Sequence, residues 1–112
     1  MKNNEKVRTD YENNRTEIIT SIQVLKSQSK CITNTLKESN LEADTKAIYK
    51  TPVDETVKLV NEYIKLGTVG KYSIAAKKEF NNKFKEVKKK LDDRIKLLKK
   101  IPIFNSCFST EQ

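Results

Sequence analysis

Residues 11–36 read YENNRTEIITSIQVLKSQSKCITNTL. Within them Tyr11, Arg15, Ile18, Ile22, Leu25, Ser29, Ile32 and Leu36 recur at alternating steps of four and three, the 3.5-residue period of a coiled-coil seam. Six of these eight positions are apolar, and no Gly or Pro interrupts residues 3–38. The whole reach is therefore predicted as one helix. At 1.5 Å per residue it is about 54 Å long, far beyond the usual globular helix. One apolar stripe on so long a rod has to lie against other elements. Arg15 and Ser29 interrupt the seam; they either fix its register or face solvent where a bundle frays. Arg15 also suits a bundle end, its stem on apolar surface and its head in water.

Downstream, Ser39-Asn40-Leu41-Glu42 has the capping-box pattern. It predicts that the first helix ends near Glu38 and that a short one, carrying Leu41, Ala47 and Ile48, runs to about Lys50. Thr51-Pro52-Val53-Asp54-Glu55 reads as a further helix start, with Thr at N-cap, Pro at N1 and acids in the first turn. Val53, Val57, Val60 and Ile64 then form its seam, Gly67 stops it and Gly70 completes a turn. A last helix is predicted over residues 71–100, burying Phe80, Phe84, Val87, Leu91, Ile95 and Leu98, and Pro102 ends it. Three arms of similar reach make an all-α, antiparallel up-down-up helical bundle with coiled-coil-like packing. Its middle arm is kinked or broken near Thr51-Pro52, giving three or four helices. Residues 1–102 are read as one bundle domain and 103–112 as an apolar tail that folds back or docks on a partner. Tyr11, Tyr49, Tyr63 and Tyr72 are read as boundary residues with wet hydroxyls.

Composition narrows the chemistry. Hydrophobic residues make up 36% of the 112 and charged residues 34%, so the core is thin and striped. Two Gly and two Pro leave no glycine-rich phosphate loop and too few turns for an all-β fold. The absence of His removes Ser-His-Asp and Cys-His catalysis and His zinc sites, and two cysteines are too few for a four-cysteine one. The carboxylate pairs Asp54-Glu55 and Asp92-Asp93 sit at a helix start and among lysines, where capping and solvent pairing account for them. No enzyme, metal, cofactor or small-molecule substrate is expected. Cys31 and Cys107 form no CxxC motif and in a reducing compartment are expected as free thiols; Cys31 adjoins the seam residue Ile32 and the tail could bring Cys107 to the bundle, so a disulfide or redox switch is the lesser alternative, its geometry not legible from sequence. No signal-like or spanning apolar run is seen, so an intracellular, cytoplasmic chain is expected. Asn14-Arg15-Thr16 matches a glycosylation pattern that such a location would leave unused.

Charge is uneven. The chain is +8 overall, with 23 basic and 15 acidic residues, and 12 of the basic residues against four acidic ones fall within 71–100. At 100° per residue Lys71, Lys78, Lys85, Lys89, Lys96 and Lys100 share one stripe opposite the Phe80-Phe84-Leu91 face. That stripe is a candidate site for nucleic acid or another polyanion, an anionic membrane surface being the less expected partner. Against this stands a plain solvated face, offset by Glu79–Lys83, Glu86–Lys90 and Asp92–Lys96 pairs. Lys outnumbers Arg 20 to 3 and no aromatic residue lies in the stripe, so any nucleic-acid binding is expected to be weak and salt-sensitive.

The leading expectation is a non-enzymatic protein–protein interaction module. It binds a partner, or a second copy of itself, through the helix seams and the tail residues Ile103, Phe104 and Phe108. In size and layout, a short basic helical bundle with an irregular apolar tail also resembles the bacteriocin immunity proteins. That resemblance implies a self-protection role; no signature motif carries it, and no residue role comes with it.

Overall fold

In a computed structural model of the chain, residues 2–68, 70 and 73–108 are described. Helix α1 spans Lys2–Glu38, α2 Ala43–Thr68 and α3 Ile74–Lys99, and a 3-10 helix covers Pro102–Phe108. All three long helices pack on one another, and the 3-10 helix packs on α1 and α3. The molecule is a rod of 58 × 29 × 20 Å. The all-α bundle read from the sequence is thus the fold.

The seam of α1 is buried at five of its six apolar positions, Ile22 being half-buried. Tyr11, Ile18, Leu25, Ile32 and Leu36 are all under a tenth exposed. Its two polar members have separate fates. Arg15 donates from Nε to the Gly67 carbonyl at 3.4 Å, so its cation sits against the C-terminal end of α2, where the helix dipole favours positive charge. Ser29 Oγ is buried with no hydrogen-bond partner. It is a cost in stability that α1 carries where a methyl group would serve.

Two element boundaries differ from the sequence reading. Ser39 does not open a capping box; its hydroxyl and backbone N–H both donate to the Leu36 carbonyl, at 2.9 and 3.3 Å, and close α1. Glu42 supplies the first carbonyl of α2 instead, accepting from the Lys46 N–H at 2.9 Å. Nor does a helix restart at Thr51-Pro52, because α2 runs through with Pro52 inside it. An interior Pro forfeits one backbone hydrogen bond. The unbroken helix keeps Tyr49 edge-on to Phe104, ring centroids 6.3 Å apart, a contact a turn at Pro52 would move. At the head of α3, Ser73 is the N-cap, its Oγ accepting the Ala76 N–H at 3.0 Å.

The seam of α2 is Val53, Thr56, Val60, Tyr63 and Gly67, one step off the predicted one; Val57 and Ile64 flank it half-buried. Thr56 enters the core because its hydroxyl donates to the Pro52 carbonyl at 2.8 Å and needs no other partner. Tyr11 and Tyr63 are likewise core rings, each 3% exposed, and not the boundary residues expected. Gly67 allows the tightest approach of α1 and α2: a Cβ there would lie 2.5 Å from Ile18 Cγ2.

Two outcomes follow. Gly67→Ala should lower unfolding free energy by about 1–3 kcal/mol, the usual cost of overpacking; an unchanged urea midpoint would show that α1 and α2 do not meet there. Ser29→Ala should leave stability equal or raise it by about 1 kcal/mol, and a clear loss in the same titration would mean that the hydroxyl has a partner.

Candidate functional site

On α3, Lys78, Lys85, Lys89, Lys96 and Lys100 are all exposed on the outer face, while Lys71 lies outside the described residues. From Lys78 to Lys100 the face runs about 33 Å. Of the three offsetting pairs expected from sequence, only Glu86–Lys90 approaches, at 4.0 Å. No ion pair among the described residues involves any of the five stripe lysines. Asp92 and Asp93 are exposed between Lys89 and Lys96 and divide the stripe into two lobes.

The N-terminal lobe has a neighbour that the sequence did not disclose. Asn81 accepts from Asn14 Nδ2 at 3.1 Å and donates to the Val7 carbonyl at 3.2 Å, bridging two turns of α1. This fixes α3 beside α1 in parallel and places Lys6, Lys78 and Lys85 around a cleft of about 600 Å³. Asp10 is there too, paired with Lys6 at 3.5 Å. The same bond occupies the amide nitrogen of Asn14 that the glycosylation pattern would require. The cleft is thus lined by three lysines, one of them paired with a carboxylate, and by Asn14, Asn81 and Asn82.

A second polar group lies across all three helices. Glu17 of α1 accepts a charge-assisted bond from Lys88 of α3 and a 3.5 Å bond from the Tyr63 hydroxyl of α2. Lys88 also stands 5.7 Å from the Phe84 ring centroid. These groups satisfy one another, which makes them a lock between helices. Burial raises the Tyr63 hydroxyl above its ordinary value near 10, and the Glu17 carboxylate raises it further.

The tail folds back onto the bundle, one of the two courses expected of it from sequence. Phe104 and Phe108 are 0% and 6% exposed and Ile103 is half-buried, so the candidate partner-binding side chains lie against the chain's own bundle. They fit there because Ile32, Leu36, Val53 and Leu98 leave an apolar end for them to cover. Cys31 and Cys107 are not free thiols. They form a disulfide with Cα atoms 5.6 Å apart, well within the normal range. The Thr35 hydroxyl lies beside both sulfurs, 3.9 Å from Cys31 Sγ and 3.6 Å from Cys107 Sγ.

The link spans 76 residues, and its loop-closure contribution is about 4–5 kcal/mol. For the tail itself the balance is close. Burying Phe104, Cys107 and Phe108 is worth about 7 kcal/mol, while ordering the backbone of residues 102–108 costs about 7–14 kcal/mol.

Among the described residues no group of three or more His, Cys, Asp or Glu side chains is placed to hold a metal ion, and no described helix is long and apolar enough to cross a membrane. No protein family, curated protein or solved structure gives a match to the chain.

The Tyr63 environment gives a pH test. Below about pH 10 both folded and unfolded states keep the phenol proton; above it the unfolded state loses the proton first, so stability falls by about 1.4 kcal/mol per pH unit. Tyr63→Phe should lack that increment when unfolding free energies at pH 9 and 11 are compared. Equal alkaline slopes in the two proteins would place the hydroxyl in water.

Proposed function

We propose that the chain is a non-enzymatic binding module that holds an anionic polymer by electrostatic attraction to the outer face of α3. The observation that carries this reading is the set of exposed lysines Lys78, Lys85, Lys89, Lys96 and Lys100, free of the intrahelical ion pairs that would make them a neutralised surface. The bundle supports them on a stiff backbone, so binding orders the lysine side chains but need not order the helix that carries them. Nucleic acid is the polymer chosen for the test, because its phosphates give a calibrated salt response.

Docking of a protein on the seams and tail has less support. The seams face one another, and the large apolar residues left exposed, Ile19, Val24, Ile48 and Leu97, are spread over all three helices. The disulfide favours surroundings more oxidising than the cytoplasm expected from sequence.

Duplex DNA binding measured by fluorescence anisotropy should weaken about 10²- to 10³-fold between 50 and 200 mM salt, the response of about five phosphate contacts. Replacing Lys78, Lys85 and Lys89 together by Glu should abolish it. Binding insensitive to salt, or retained in that variant, would refute the assignment of the face.

A further inference from the structure

We propose that the Cys31–Cys107 disulfide is a redox latch, whose reduction releases the Pro102–Phe108 segment from the end of the bundle while the three helices stay folded. The placement of the two cysteines is the first support. Cys107 stands one residue before Phe108 in the segment that follows α3, and Cys31 lies within α1, so the bond fastens that segment to the helical body. Breaking it frees the segment and severs no link among α1, α2 and α3.

The division of the core makes the opening local. Tyr11, Ile18, Val60, Tyr63, Phe80 and Phe84 belong to a cluster to which the terminal segment contributes no buried residue. The second cluster is the one that Phe104, Cys107 and Phe108 complete. A bundle that loses the segment therefore keeps its upper core whole.

The segment has little to hold it otherwise. It is a 3-10 helix of seven residues, longer than the three or four such geometry usually sustains. The turn leading into it is closed by Ile101 N–H donating to the Leu98 carbonyl, and its own Phe104 N–H donates to the Ile101 carbonyl, both at 3.0 Å. Lys99 stands over the Phe108 ring, 6.0 Å from its centroid, and the Thr35 hydroxyl of α1 lies 3.6 Å from Cys107 Sγ. Of the two cysteines Cys31 is the more accessible, half-buried where Cys107 is 5% exposed.

The step is a thiol–disulfide exchange with a dithiol reductant. One reductant thiolate attacks Cys31 Sγ, the Sγ–Sγ bond breaks and Cys107 leaves as thiolate. The second reductant thiol then displaces Cys31. Two electrons and two protons pass to the chain, giving two thiols, and the reductant becomes a disulfide. The chain is then closed in oxidising surroundings and open where dithiols are maintained.

Hydrogen exchange read by mass spectrometry on the whole chain, oxidised and then reduced with dithiothreitol, tests the latch. Peptides covering 101–108 should exchange at least about tenfold faster after reduction, while those from 11–25 and 80–91 keep their protection. Cys31→Ala, which leaves the shielded cysteine in place, should reproduce the reduced pattern without reductant. Two results would overturn the proposal: unchanged protection of 101–108 in both samples, which makes the bond redundant, or loss of protection along all three helices, which makes it a global staple.

Discussion

The structure depends on covering one apolar stripe that α1 carries along most of its length. Ile18, Leu25, Ile32 and Leu36 follow one another down a single face, and no isolated helix could keep that face in water. Its upper half is covered by α2 and α3, which meet it through Gly67 and through the Tyr11–Phe80 ring contact, centroids 5.0 Å apart. Its lower half is covered by α2, α3 and the returning chain end together. The rod is long and narrow because the stripe is long and the apolar residues are few.

This arrangement separates the molecule into a part that packs and a part that presents charge. The inward face of α3 is occupied by Phe80, Phe84, Val87 and Leu91, so its lysines are held outward by the same packing. Polar locks fix the register that a thin core leaves loose. Asn81 ties α3 to α1, Glu17 and Lys88 tie α1 to α3 with Tyr63 of α2 beside them, and Glu55 reaches Arg94 at 3.3 Å across α2 and α3. Each lock joins partly exposed groups. Their contribution lies in alignment more than in net free energy.

Periodicity made α1 and α3 legible, because aliphatic and aromatic residues recur at helical spacing and little else competes. The seam of α2 was displaced by one step because three of its five members are Thr, Tyr and Gly, types that an apolar pattern passes over. Thr56 is legible as core only once its hydroxyl is seen to be satisfied by Pro52, and Gly67 only once Ile18 is seen against it. Pro52 misled for a related reason. The same Thr-Pro-acid signal opens a helix in isolation, whereas here α2 runs through it with Pro52 inside. The lysine face was legible as composition, but its freedom from ion pairs was not, since side-chain distances decide that. Cys31 and Cys107 carry no spacing signal, and only the return of the tail brings them together.

Nuclear Overhauser contacts in the oxidised protein test the coverage of α1 most directly. The account predicts cross-peaks between the Ile18 γ2-methyl and the Gly67 α-protons, and between the Tyr49 and Phe104 rings, in one monomeric sample. An Ile18 methyl whose contacts are confined to its own helix would contradict it, for the stripe on which the whole fold is built would then be facing water.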